Sequence, residues 1–462
     1  MSVSVPRLAA FVSPALPLAA IGLPFTVHLP PYYAGELGLG LATVGFIFFL
    51  VRAIDLPLDP LLGVLIDRTR TPIGRFRPWF LAGAATLVVS SYLVFMAAPG
   101  ISAMAAFWSV MLLYAGLSMF QVAHQSWAAT LTDEYHGRSR VFGWLQTTGV
   151  LGMVLVLSLP PLAAGLTGDR TPAAGVHAMG WFTIVLLPLT LLLTFASTGE
   201  PRRPGTRHHV RLGDMRTVAT NPLMRRLLAA DMLSGVAPGI AGAMFIFVFT
   251  HRLGFTAAQA SLLLLVYFIA GLIAAPLWMR LAVRIGKHRT ATLAGAFYCV
   301  TQPLIVLLPA GQLWIVVLGM AVAGIPYAAF PFLMRAMLAD VIDADRLQTG
   351  ADQTGLYSAV LTTATKLSYA VPIGVIYPYL SWIGFNGAPD AVNTPAALAG
   401  MAYMFALAPV LFMGAAALVA WGWPHDREAH ERVHGALVAT DVAGQPDQPD
   451  DQIGAAAAAA NA

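Results

Sequence analysis

Long apolar segments recur along the whole chain and constrain its fold more than any other feature. A helix that crosses the hydrocarbon core of a membrane needs roughly 20 apolar residues. About twelve segments reach that length, and they lie near 9–30, 40–63, 79–98, 102–130, 141–166, 178–197, 223–250, 257–282, 290–309, 312–337, 355–383 and 397–422. They lack the two-residue alternation that strands of a membrane barrel show. We therefore predict an all-α integral membrane protein with about twelve transmembrane helices.

Composition agrees with a membrane environment. Of the 462 residues, 58% are hydrophobic and only 10% are charged, whereas soluble domains have about 25% charged residues. The net charge of +4 does not indicate nucleic-acid binding, because the basic residues lie in short loops between apolar segments. The sequence contains no HExxH, GxSxG or P-loop pattern, so we expect no enzyme activity and no bound cofactor.

The distribution of basic residues predicts the orientation. Arginine and lysine concentrate in the loops that follow even-numbered segments, and the odd-numbered loops hold little beyond Arg170 and Arg252. Short loops rich in these residues stay on the cytoplasmic side. We therefore expect both termini in the cytoplasm and the helices in the inner membrane.

A long polar stretch divides the chain into two halves. We predict a six-helix half over 1–197, a central loop over 198–222, a second six-helix half over 223–423 and a disordered tail over 424–462. The stretch 74-GRFRPWFLAGA-84 aligns without gaps with 286-GKHRTATLAGA-296, at the same position of each half. Duplicated six-helix halves resemble the major facilitator architecture, in which the substrate binds at mid-membrane between the halves.

The second segment carries charge at a depth where charge is costly. Asp55 and Asp59 are four residues apart, so they share a helix face, and intramembrane carboxylates usually line a cavity or a bundle interior. Such a pair can hold a hard cation such as Na⁺ or share a proton. Pro57 interrupts the helix between them. The alternative is that Arg52 neutralises Asp55 as a structural ion pair.

Three further polar positions lie in apolar segments. Lys366 lies at the centre of the eleventh segment, where it is expected to attract an anionic group or organise the ion site. Asp231 lies near the start of the seventh segment, as an interfacial charge would. His28 is interpreted as a hydrogen-bonded structural histidine, with a proton relay as the alternative.

The fourth segment contains a polar stripe. Ser118, Gln121 and Gln125 recur at steps of three and four residues, so they share one helix face. The stripe forms either the wall of a cavity that faces the two aspartates or interhelical hydrogen bonds.

Three motifs resemble the glycoside–pentoside–hexuronide:cation symporter family. The most specific is 55-DLPLDPLLGVLIDRTRTPIGRFRPW-79. The others are 131-LTDEYHGRSR-140 and 338-LADVIDADRLQTGADQTGLYSAVLTTATK-366. The resemblance implies a secondary active transporter that works by alternating access. It also assigns a gating loop with Asp67, Arg68, Arg75 and Arg77.

The resemblance further implies a coupling-ion site and a substrate site. The cation ligands would be Asp55, Asp59 and Ser118, with Gln121 where relatives have a third aspartate. The substrate site would include Gln125, Trp127, Gln146 and Lys366. A sugar or glycoside is expected as substrate. Because the acid and the arginine with which the family holds its sugar are absent, two alternatives stay open. These are an amphiphile such as a lysophospholipid, which animal symporters of the same wider group carry, and a non-transporting assembly factor. The coupling ion is expected to be Na⁺ or H⁺, and the protein a monomer.

Overall fold

The computed structural model describes residues 4–132, 135–169, 171–200, 218, 220–349, 353–424 and 432–433. Twelve helices in these ranges are long and apolar enough to cross a membrane. We label them α1–α12: Val5–Val27, Leu41–Ile66, Arg77–Phe95, Ala103–Ala129, Arg140–Thr167, Pro172–Ser197, Pro222–Arg252, Ala257–Ile285, Lys287–Leu307, Leu313–Thr349, Thr354–Trp382 and Pro395–Trp421. The prediction of an all-α bundle with twelve spans is confirmed.

The spans begin and end close to the predicted positions, with two larger differences. Helix α6 begins at Pro172, six residues before the predicted start, because Thr171 caps its first turn by accepting the N–H of Ala174. Helix α10 continues to Thr349, beyond the apolar segment, since its last turns are amphipathic. The predicted central loop and the C-terminal tail lie almost wholly outside the described residues.

Several spans are interrupted, and prolines lie at the interruptions. Helix α1 consists of Val5–Val12 and Ala15–Val27, with Pro14 between them. Helix α2 is divided into Leu41–Asp55 and a second segment, Leu58–Arg68, which continues two residues past the span. Since proline has no N–H, it leaves the carbonyl four residues earlier without its helical donor. Pro14 at the α1 interruption is buried, whereas Pro57 at the α2 interruption is exposed.

The sequence repeat at 74–84 and 286–296 has a structural counterpart. Gly74 and Gly286, at matching positions before α3 and α9, adopt positive φ angles of 123° and 92°. Side chains rarely tolerate this conformation, which favours glycine. Both six-helix halves therefore place a glycine with positive φ before their third helix, as a duplication predicts.

The two halves approach each other closely at one end of the bundle. We call the end with the turns at Gly74 and Gly286 the basic face, and the opposite end, with Glu36 and Gly387, the distal face. Toward the distal face, a Cβ added at Gly374 of α11 would lie 2.8 Å from the Cβ of Phe49 in α2. His28 Nε2 of α1 lies 2.9 Å from Ser261 Oγ of α8. These contacts close the distal face between the halves.

Candidate functional site

The two intramembrane aspartates lie on either side of the interruption in α2. Asp55 is the last residue of the first segment, and Asp59 lies in the first turn of the second. Because Pro57 and Pro60 have no N–H, the carbonyls of Ala53 and Leu56 lack their usual helical donors. The interruption therefore places two carboxylates close to carbonyls that have no proline N–H to accept.

The contacts of the two carboxylates are unequal. Asp55 is only 2% exposed, and one of its oxygens accepts a hydrogen bond of 2.7 Å from Ser118 Oγ. Its other oxygen lies 4.0 Å from the Lys366 ammonium. Asp59 Oδ2 forms a close ion pair with the same ammonium, whereas its Oδ1 is buried with no hydrogen-bond partner. The site thus holds two carboxylates, one cation and one unsatisfied carboxylate oxygen.

The cation at this site comes from the other half of the protein. Lys366 lies in α11, and it is the partner that the described residues supply to Asp59. Arg52 contacts aromatic rings, with its guanidinium carbon 4.7 Å from the Tyr114 ring centroid. The alternative of a direct Arg52–Asp55 ion pair is therefore not seen at 4.0 Å or less among the described residues.

The polar stripe of α4 faces this site along part of its length. Ser118 is buried against Asp55, Gln121 is half-buried and Gln125 is exposed. Gln146 of α5 is exposed as well. Along the stripe, exposure therefore increases with distance from the carboxylates.

Trp127 differs from the other expected substrate residues. Its side chain is fully buried in an aromatic cluster, with edge contacts to Phe11, Phe80 and Phe195. Its indole N–H has no hydrogen-bond partner. The structure thus brings Asp55, Asp59, Ser118 and Lys366 together, and places Trp127 about two and a half turns further along α4. A contact between Trp127 and substrate stays a prediction.

The expected gating loop is anchored within its own half. The Glu200 carboxylate accepts main-chain N–H groups of Arg75, Phe76 and Arg77, and the Arg77 guanidinium donates to Thr198 O at 2.7 Å. An anion at a helix N-terminus is favourable, and Glu200 occupies that position for α3. Arg68 is exposed, and the side chain of Asp67 lies outside the described part. Glu200 was missed from the sequence, although a lone acid after α6 and before an arginine-rich stretch is a detectable signal.

Two buried groups differ in how well the sequence placed them. His28 has the hydrogen-bonded environment expected of a structural histidine, through Ser261. Asp231 was expected at an interface, but it is 8% exposed and accepts a 2.6 Å hydrogen bond from Thr365 Oγ1. The sequence did not show this burial, because it comes from packing against Thr365 of α11, 134 residues further along the chain.

Comparison with known proteins adds independent information. Residues 10–427 match a family model described as MFS/sugar transport protein. The glucuronide carrier protein homolog of Escherichia coli K12 is 24% identical over 406 residues, which cover 86% of this chain and 88% of the relative. The sodium-dependent lysophosphatidylcholine symporter 1-A of Danio rerio is 22% identical over 431 residues, covering 83% and 79%.

The solved structures show the same fold. A bacterial homologue of the human lysosomal transporter Spinster superposes with a TM-score of 0.65 at 13% identity, covering 94% of this chain and 97% of that chain. At this identity the likeness concerns the fold alone.

Proposed function

The chain belongs to the MFS/sugar transport protein family, within its glycoside–pentoside–hexuronide:cation symporter group, and from that premise we propose that it carries a small organic solute together with Na⁺ or H⁺. Membership makes the chain a transporter and not an enzyme. The coupling site is proposed to consist of Asp55, Asp59 and Ser118, with Gln121 beside it.

One observation carries the proposal: Asp59 keeps a buried carboxylate oxygen without a partner. A buried charged oxygen with no donor is costly, and inside a membrane such a group usually belongs to an ion or proton pathway. A cation bound there would contact Asp59 Oδ1 and the neighbouring carboxylate of Asp55. A proton on Asp59 would satisfy the same oxygen.

Lys366 provides the link between ion binding and movement of the halves. Its ammonium occupies the carboxylate pair from the opposite half, so an arriving cation or proton competes with it for the same negative charge. Binding of the ion weakens this contact between the halves. The relative stability of the inward-facing and outward-facing states then changes. A substrate that binds one orientation more tightly then tightens ion binding. The factor is the same as that by which the ion tightens substrate binding.

The conformation supports an open basic face. The halves contact each other near the distal face, while Gln125 and Gln146 are exposed. We propose that the basic face is cytoplasmic, as its arginines favour, so that this is the inward-facing state of a monomer in the inner membrane.

A sugar or glycoside is the proposed substrate. The amides of Gln125 and Gln146 offer both donors and acceptors for hydroxyl groups, and a relative is named as a glucuronide carrier. An amphiphile is the second candidate, because α1 contributes no carboxylate to the site and another relative is named as a lysophosphatidylcholine symporter.

The experiment begins with purified protein. Glucuronides, other glycosides and lysophosphatidylcholine are tested for thermal stabilisation, each with and without Na⁺ and at two pH values, because a ligand of the native state raises its stability. The compound that stabilises is then used for uptake into proteoliposomes under an ion gradient.

Asp59→Asn is expected to abolish accumulation against a gradient while the protein still inserts in the membrane. Asp390→Asn, the same change at an exposed distal carboxylate, is the matched control and should transport normally. Undiminished uphill transport by Asp59→Asn would overturn the proposal.

A further inference from the structure

A second buried carboxylate faces a cavity that the coupling site does not use. The cavity has a volume of about 100 Å³ and lies within the C-terminal half, bounded by side chains from α7 to α12. Asp231 and Thr365 form part of its wall. Four tyrosines also line it: Tyr267, Tyr298, Tyr327 and Tyr369.

The charge of Asp231 is incompletely matched. Thr365 donates to one of its carboxylate oxygens, and Ser234 donates to its main-chain carbonyl instead of the carboxylate. The basic residue that interacts electrostatically with Asp231 is Arg335 of α10. Its side chain is exposed, and no ion pair within 4.0 Å joins the two among the described residues. A carboxylate at this depth therefore lacks a contacting cation.

The four tyrosines determine which kind of cation the cavity can bind. The Tyr267 and Tyr327 rings meet edge to face with centroids 5.6 Å apart, and both line the cavity. Tyr298 is 4% exposed, and its hydroxyl has no hydrogen-bond partner. Aromatic faces attract cations strongly when water is excluded. An alkali ion needs a shell of several oxygens, whereas an alkylated ammonium group combines positive charge with an apolar surface that rings can cover.

We propose that this cavity binds a small organic ammonium compound. The Asp231 carboxylate pairs with the ammonium charge, and the tyrosine rings contact its carbon substituents. The volume suits a compound of a few carbon atoms, since a cavity of about 150 Å³ holds benzene. The site is separate from the coupling site, and it does not depend on the function proposed above.

The test compares two ligands of the same shape. Isopropylammonium carries a positive charge on a three-carbon group, and propan-2-ol is its uncharged isostere. Binding of each to the purified full-length protein is measured by calorimetry and thermal stabilisation. Isopropylammonium is expected to bind at least about tenfold more tightly, because only it gains from the carboxylate and the ring faces. Equal affinity for the two compounds, or binding of neither, overturns the proposal.

Variants locate the site. Asp231→Asn should remove the preference for isopropylammonium, and Tyr298→Phe should keep it because the ring remains. Asp390→Asn, at an exposed distal carboxylate, should bind isopropylammonium as the wild type does. Stabilisation by NaCl that matches isopropylammonium and disappears in Asp231→Asn would show an inorganic cation site and overturn the proposal. If Asp231→Asn does not fold, the comparison of the two ligands on the wild type still decides.

Discussion

Thr365 and Lys366 are neighbours in α11, yet they donate to carboxylates in different halves of the protein. Thr365 Oγ1 bonds to Asp231 of α7 at 2.6 Å, and the Lys366 ammonium pairs with Asp59 of α2. Because successive residues of a helix point about 100° apart, one turn of α11 contacts both the interior of its own half and the opposite half.

We expect Lys366→Gln to tighten binding of the coupling ion, since the competing ammonium is removed from Asp55 and Asp59. Stabilisation of the purified protein by NaCl and by lowered pH would report the change. Lys287→Gln is the control, because Lys287 pairs with Asp340 at the basic face, within the C-terminal half. Loss of the ion response in Lys366→Gln would contradict competition, and would instead make Lys366 part of the scaffold that holds the carboxylates.

Ser118→Ala should distinguish Na⁺ from H⁺ coupling. The Ser118 hydroxyl donates to Asp55 and so favours the ionised carboxylate, by about 1.5–3 kcal/mol for a bond to a charged group. Its loss should weaken Na⁺ affinity about tenfold. If the ion is H⁺, the same loss should leave proton-driven uptake intact, because a protonated Asp55 does not need the hydroxyl donor. Ser126→Ala, on the same helix, is the control. If uptake is driven by Na⁺, an unchanged Na⁺ affinity would show that Ser118 is not part of the site.

Gly374→Val should hinder closure of the distal face. A side chain there would meet Phe49 of the opposite half, so the open distal state becomes more populated and transport slows. The measurement is labelling of a cysteine at Thr250, which lines a distal cavity of about 300 Å³ between the halves, in a Cys299→Ala background. Gly22→Val is the matched control, since open space surrounds Gly22. Equal labelling in both variants would be inconsistent with a steric contact.

Glu36 should make stability at the distal face depend on pH. Burial raises the pKa of its carboxyl, and the nearby Asp390 and Asp169 raise it further. Above that raised pKa the folded protein must hold an unfavourable charge, and this cost disappears as pH falls and the group protonates. Glu36→Gln should therefore melt at a higher temperature than the wild type at pH 8. At about pH 4 the two should melt together. Asp343→Asn, on α10 near the basic face, is the control, and a pH-independent difference for Glu36→Gln would refute the explanation.

The sequence predicted most of the fold, because spans must be long and apolar to cross a membrane. It also predicted that Asp55 and Asp59 lie close together, and both lie near the Lys366 ammonium, although the helix is interrupted between them instead of continuous. Their role in binding an ion stays a prediction. Lys366 was assigned to that site by resemblance, and its pairing with Asp59 across the halves needed the structure.

The sequence did not predict the contacts of Glu200 or the cavity at Asp231, because both depend on helices that are far apart in the chain. Glu200 binds the start of α3 from the end of α6, 125 residues away from Arg75 in the chain. The cavity at Asp231 needs side chains from six helices. Neither has a periodicity or a short motif, so no local pattern reveals them. The observed bounds of α6 and α10 differ from the predicted ones for another reason. Caps and amphipathic turns extend a helix beyond its apolar segment.

The interruption of α2 has a structural consequence. Asp55 is the last residue of one helical segment and Asp59 lies in the first turn of the next, so the distance between the two carboxylates depends on the bend angle of α2. A cation bound by both carboxylates would hold that angle at one value, and so would a proton shared between them. A proton on Asp59 alone would leave the angle unconstrained. The number of carboxylates that the coupling ion contacts would therefore also determine how freely α2 bends.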